Sequence, residues 1–187
     1  SLSNSEYSNG VLTVRSNDFS VYHAVSGTVN YGTDVYVTEQ ATTSTKFSLE
    51  GGSLKLGKEL VKDQGIIAKT AGSSVEILSN TTLKSNQLSV ESGGSVELSG
   101  NGAYEITGTE LSLGSGVSVG SAWSGTVKTA GDTTVSSNLD TTSWKNTELN
   151  GTTTVNSGVT LTLGGNTTLG GKITLGSGSS LVLAGTI

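Results

Sequence analysis

VEILSNTTLKSNQLSVESGGSVEL, residues 75–98, holds one full period of the chain. It opens on Val75-x-Ile77, passes Leu83 and then Leu88-x-Val90, and returns to Val96-x-Leu98. Apolar and polar residues alternate for a few positions, and then a polar corner follows. Alternation with a period of two marks a strand with one buried face. Each strand here is too short to bury anything alone. The repeat itself must therefore supply the core.

Outward from this stretch the apolar pair recurs at Val35/Val37, Leu54/Leu56, Val117/Val119, Val159/Leu161 and Leu181/Leu183. From Leu54 through Val75 and Val96 to Val117 every step is equal. Leu139 fills the gap before Val159, and Leu12/Val14 extends the series to the start. A second series runs Leu60, Leu83, Tyr104/Ile106, Val127, Leu149, Leu169. A third runs Phe47/Leu49, Ile67, Leu88/Val90, Leu111/Leu113, Val135, Val155, Ile173/Leu175. Corners such as Gly93-Gly94, Asn101-Gly102, Asn150-Gly151 and Gly170-Gly171 separate them. Gly and Asn tolerate the positive φ that tight corners need.

The pattern predicts an all-β chain, coiled as a parallel β-solenoid (a β-helix) of triangular section. Three strands make a turn of about 21 residues, and roughly nine turns fit between Leu12 and Leu181. An antiparallel sandwich also has short strands, but its turn signals fall at wider spacing. KTAG occurs twice, at Lys69–Gly72 and Lys128–Gly131. The offset between the copies is not a whole number of such turns, so they read as one corner type used at two edges of the triangle. Residues 1–30 are expected to form a cap or irregular first turns, and 31–187 the solenoid, continuing past Ile187. Residues 1–50 hold six of the nine aromatic residues and the sole His and Arg. Thr38–Lys46 reads as a loop, and strand signals weaken again over Ser136–Lys145.

Composition limits the functions open to the chain. Of 187 residues 27 are Gly, with no Pro, Cys or Met, and the net charge is −5. Ten scattered basic residues leave no stripe to follow a phosphate backbone, so nucleic acid is not the expected partner. No run of 18 apolar residues predicts a membrane span. Zero Cys excludes disulfides and thiol chemistry. SLSNSEYSNG lacks the basic and apolar regions of a signal peptide, so a signal is expected to have preceded Ser1.

Gly151–Gly165, GTTTVNSGVTLTLGG, resembles the repeats of bacterial autotransporter passengers, the autotransporter-associated β-strand type. Thr153–Asn156 and Val159–Leu163 carry the likeness, and Leu111–Val119 and Gly171–Leu183 fit more loosely. The resemblance implies a right-handed β-helix shown at, or released from, a bacterial cell surface. It implies a role in adhesion or as a stalk, with glycans, matrix or neighbouring cells as partners and with possible self-association. It transfers no catalytic residue. The alternatives are a glycan-active hydrolase or lyase on the same fold, or a phage tail-fibre or spike segment.

The strand phase also predicts which residues face out. On the first face the column reads Tyr36, Lys55, Glu76, Glu97, Ser118, Thr160. Two carboxyls about 5 Å apart are the arrangement of a retaining glycosidase, yet a wet, flat charge ladder explains Glu76 and Glu97 as well. On the third face Ser48, Ser89, Ser112, Thr134, Thr154 and Thr174 form a hydroxyl stripe, suited to cross-strand pairing or to a glycan. Trp123 and Trp144 stand one turn of this period apart. Pointing outward they would offer stacked rings to a sugar; pointing inward they would cover the core of an irregular turn. Trp123, Trp144, Thr134, Thr154 and Thr174 are therefore the candidate ligand-binding residues. No catalytic residue, metal site or cofactor is expected. His23 is a lone His, and no nucleophile motif or calcium nonapeptide occurs.

Overall fold

The computed structural model describes residues 71–185, the side chain of Ser89 excepted, and the backbone of nine strands before residue 71. The chain is an all-β parallel solenoid with about 21 residues per turn, and about five turns are described. The expected count of nine turns reaches beyond them. So do the proposed loop over residues 38–44, His23 and the side chains of the early aromatic residues. Thr45 and Lys46, placed in that loop by the sequence, begin a strand.

Strands are numbered β1 to β24 in chain order, and three faces follow one another around each coil. The first face begins with β3 (Phe19–Val21), β5 (Val35–Val37), β7 (Ser53–Leu56), β10 (Ser73–Ile77), β13 (Val96–Gly100) and β15 (Val117–Trp123). The second is one unbroken sheet of β8 (Leu60–Val61), β11 (Thr82–Ser85), β14 (Ala103–Ile106), β16 (Thr126–Thr129), β19 (Asn146–Leu149) and β22 (Thr167–Leu169). The third begins with β1 (Ser5–Ser8), β2 (Val11–Val14), β4 (Gly27–Tyr31), β6 (Thr45–Leu49), β9 (Ile66–Ala68) and β12 (Ser89–Val90). Lower down, separate sheets continue two faces. These are β18 (Leu139–Asp140), β21 (Thr160–Leu163) and β24 (Ser180–Leu183) on the first face. On the third they are β17 (Thr133–Val135), β20 (Thr153–Val155) and β23 (Ile173–Leu175). All pairings are parallel except β1 with β2.

Register reveals coils of unequal length. On the second face Leu83 faces Tyr104, which faces Val127, and the second of these steps is the longer. Below, Val127 faces Thr147 and Thr147 faces Thr167, two equal steps that are shorter than either. The single period of the sequence averages over these unequal coils. The residues matching the passenger repeat lie in the shorter coils.

The first face departs most from the expected register. Val75 stacks on Leu98 and Ile77 on Gly100, so this coil is longer than the sequence period. Gly100 has φ +91, and a Cβ there would run into the Ile77 carbonyl. Only glycine fits this close approach. Leu12 was expected on the first face, but the backbone register sets it against Val29, and Val29 against Phe47, on the third. Those coils are shorter than the later ones, so counting back by the later period drifts by one face.

The first and third sheets break at the same level while the second runs through. Leu111 and Leu113 were expected in a third-face strand. They are buried, but only the bridge Glu110–Thr134 forms there. The Leu111 N–H turns down to the Thr134 carbonyl, and Gly114, at φ +96, donates its N–H to the Ser112 hydroxyl at 2.9 Å. No strand ladder to β12 forms there, although Gly114 and Gly116 lie close to Leu88 and Val90. On the first face β15 carries a register shift, and the Ser136–Lys145 stretch forms only β18 and a short 3-10 turn, Thr142–Trp144.

The core is a column of aliphatic side chains, among them Val75, Ile77, Leu83, Leu98, Ile106, Val127, Val155 and Leu161. In the lower coils inward positions turn to threonine: Thr133, Thr147, Thr153 and Thr167 are buried. The KTAG copies do fall at different edges, the first before β10 and the second between β16 and β17. Gly72 has positive φ and Gly131 does not, so one tetrapeptide serves two backbone shapes.

Candidate ligand-binding faces

The threonine column lies where the sequence places it in the lower coils. Thr134 faces Thr154 and Thr154 faces Thr174, on β17, β20 and β23. Their neighbours Thr133, Val135, Thr153 and Val155 are buried, so alternation turns the three hydroxyls outward. Thr134 and Thr154 are half-buried and Thr174 is exposed. Successive hydroxyls recur at the strand spacing of about 4.8 Å. Ser112 does not join this column; Glu110 takes its place above Thr134. The Glu110 carboxylate accepts hydrogen bonds from the hydroxyl and N–H of Ser136. The stripe is thus three threonines capped by an anchored carboxylate.

The tryptophans lie inside. Trp123 is 1% exposed and Trp144 3%. Trp123 ends β15, and its Nε1–H donates to the Trp144 carbonyl at 2.8 Å. The sequence allowed an outward pair with ring faces open to sugar, and their burial removes that geometry. They fill the core at the level where two sheets break. The large rings occupy space that a regular coil would fill with paired strands, and Gly125 leaves room beside the Trp123 ring.

The carboxylate pair is also separated. Glu76 faces Ser99 and Glu97 faces Ser74, because the coil there is longer than the sequence period. Glu76 lies opposite Lys55 of the coil above, and Glu97 opposite Ser118 of the coil below.

Sequence reasoning passed over a column on the second face. Lys84 faces Glu105, Glu105 faces Lys128, and Lys128 faces Glu148. All four are half-buried and alternate in sign along the sheet that runs unbroken through the joint. Opposite charges directly across a ladder favour this register, and a slip by one coil leaves like charges together. The signal was available, since each residue stands next to an inward position of the second series. Attention there rested on the apolar residues alone.

A cleft of about 290 Å³ opens at the joint, bordered by Ser112, Leu113, Val117, Val119, Leu139 and Trp144. No titratable side chain lines it, so it offers contact surface and not acid–base chemistry. At its edge Asp140 accepts hydrogen bonds from the Thr142 hydroxyl at 2.6 Å and the Thr142 N–H at 2.9 Å. These bonds, the hydroxyl's first, hold its carboxyl below the ordinary value.

Among the described residues the core holds one ionisable group. Tyr104 is fully buried, and burial pushes its pKa up to about 12, with the nearby Ser85 hydroxyl and Leu88 backbone pulling the other way. Neither the Tyr104 nor the Ser85 hydroxyl completes a hydrogen bond of good geometry. Among the described residues no group of three or more His, Asp or Glu gathers to hold a metal. No described helix is long and apolar enough to cross a membrane.

Comparison of the chain with protein-family models, with curated proteins and with solved structures finds no match.

Proposed function

We propose that the chain is a stiff scaffold of a bacterial cell surface or secreted assembly. It would present its flat third face to glycans or matrix polymers and act without catalysis. The observation that carries this reading is the Thr134–Thr154–Thr174 column. Hydroxyls at a fixed repeat of about 4.8 Å suit a repetitive, hydroxyl-rich polymer better than a single small molecule. The two lower coils, which bear Thr154 and Thr174, hold almost no charge: after Glu148 the only charged residue is Lys172. The passenger-like stretch Gly151–Gly165 supplies one of its strands, β20, and the neighbouring first-face strand β21. In its fullest form the reading is a right-handed helix of roughly nine turns, displayed on or released from an outer membrane. Register parts Glu76 from Glu97, so the close carboxylate pair of a retaining glycosidase is not formed there.

The test is a glycan array probed with the 187-residue chain and with a Thr134→Lys/Thr154→Lys/Thr174→Lys variant. Long cations on that face should abolish binding while the circular dichroism spectrum stays that of the parent. No binding by the parent, binding that survives the triple substitution, or turnover of a bound glycan would each overturn the reading.

A further inference from the structure

The inward column of the first face is open at one level inside the rod. Leu98 above and Leu161 below are wholly buried, whereas Val119 and Leu139 between them are only half-buried. Each has a partner on its far side: β15 pairs with β13 above it, and β18 with β21 below it. Between β15 and β18 no ladder forms. The cleft of about 290 Å³ lies in this gap, with Val117, Ser118 and Val119 of β15 on one side and Leu139 and Trp144 on the other. Side chains from both faces of β15 border it, so it runs along the edge of that strand and not over one face.

The main chain gives this edge its chemistry. The Gly116 carbonyl accepts the Val96 N–H of the coil above at 2.9 Å. Main-chain groups alternate sides along a strand, so those of Val117 and Val119 turn towards the coil below. The Val117 N–H is taken by the Gly114 carbonyl of its own turn at 3.3 Å, and no strand pairs with the rest. Such an edge is a template for another strand. The third face breaks at the same level, but there the bridge Glu110–Thr134 and the Leu111 N–H, bonded to the Thr134 carbonyl, tie the coils together. Of the two broken faces the first alone is left open.

We infer that this cleft is a binding site for an extended peptide segment of a partner protein, added as a strand to the free edge of β15. The inference rests on the fold and not on the proposed function. A segment paired with β15 lies about 4.8 Å below it, where a regular coil carries its next strand. Main-chain bonds give the affinity in this mode, and pockets for alternate side chains give the specificity. Every second side chain of the segment would cover Val119 and Leu139, which calls for aliphatic residues. No titratable side chain lines the cleft, so the segment is uncharged there. A sugar finds less to hold: the polar side chains at the cleft are Ser112, Ser118 and Ser143, and the Ser112 hydroxyl is already engaged by the Gly114 N–H.

NMR titration of the 187-residue chain with a capped Thr-Val-Thr-Val-Thr peptide tests this. The amide signals of Val117, Val119 and Leu139 should shift and saturate, and the Val119 N–H should gain protection from hydrogen exchange. The same peptide N-methylated at every residue keeps its side chains but has no main-chain donors. It should bind about tenfold more weakly or worse, as the loss of a few hydrogen bonds implies. Ser143→Tyr sets a ring on the exposed rim and should abolish the shifts with an unchanged circular dichroism spectrum. The methylated peptide alters only the ligand, so the test stands even where that variant misfolds. Cellohexaose, the sugar control, should leave these signals in place. No shift with the parent peptide, equal binding of the methylated one, shifts that survive Ser143→Tyr in the folded variant, or shifts at these amides from cellohexaose would each overturn the inference.

Discussion

The indole N–H of Trp123 donates to the main-chain carbonyl of Trp144 across 2.8 Å, one coil away and inside the rod. At this level the first and third sheets lose their strand ladders. The pair replaces ladder pairing with ring volume and one directed hydrogen bond. Trp123→Ala should therefore cost about 3–5 kcal/mol of stability, as for other buried aromatics. Trp123→Phe keeps much of the volume but leaves the Trp144 carbonyl without its donor, at about 1–3 kcal/mol. Urea unfolding followed by circular dichroism measures both. If Trp123→Ala unfolds at the parent's urea concentration, the rings do not hold the joint.

Tyr104 leads to the opposite expectation. Its hydroxyl and that of Ser85 are buried without good partners, so they cost desolvation and return little. Tyr104→Phe should be neutral or stabilising, where point substitutions in general destabilise by about 1 kcal/mol. Its raised pKa gives a pH signature. The folded value of about 12 lies above the ordinary 10, so this contribution is whole below pH 10 and fades as pH rises towards 12. In an absorbance titration one of the five tyrosines should ionise last, and the Phe variant should lack that step. A clearly destabilised Tyr104→Phe would mean that the hydroxyl is well satisfied.

The charge column on the second sheet predicts a salt-dependent effect. Lys128 stands between Glu105 and Glu148. Lys128→Glu sets three carboxylates in a row and should destabilise by about 1 kcal/mol or somewhat more, with each cross-strand pair worth ~0.2–1 kcal/mol. Lys128→Gln should lie between that variant and the parent. The difference should shrink in high salt, where the screening length falls to about 3 Å. Equal urea midpoints for the Glu and Gln variants at low salt would show the column to be indifferent.

Asp140 gives an acid-side expectation. The Thr142 hydroxyl and N–H favour its charged form, so its folded pKa falls below the usual 3.8. Its contribution is then complete above the unfolded value and disappears as pH falls through the folded one. NMR titration of its carboxyl carbon should give a midpoint below 3.8, and Thr142→Ala should raise it. A midpoint at or above the ordinary value in the parent would remove Asp140 as the anchor of the 3-10 turn.

The apolar alternation of the sequence was enough to read the fold, because each coil repeats the same demand: two inward residues per strand and a corner that turns. Register was less legible. Val75, Val96 and Val117 look equivalent by spacing, yet Val96 stacks on Ser73 and Leu98 on Val75. The choice depends on Gly100 meeting Ile77, a contact between coils that no single strand displays. The same blindness paired Glu76 with Glu97. Trp123 and Trp144 were rightly placed one coil apart, but orientation depends on the neighbours' volume, and spacing does not carry that. The stacking of Thr134, Thr154 and Thr174 was legible because the third face keeps equal steps there.

Disulfide mapping tests the stacking register, on which every face assignment depends, most directly. Partners in adjacent coils lie about 4.8 Å apart, within the roughly 4.4–6.8 Å Cα range of a disulfide. After mild oxidation, Thr134→Cys/Thr154→Cys and Glu76→Cys/Ser99→Cys should each form an intramolecular bond by mass spectrometry. Glu76→Cys/Glu97→Cys should lag well behind. Efficient closure of Glu76→Cys/Glu97→Cys together with failure of the other two would contradict the register, and with it the threonine face.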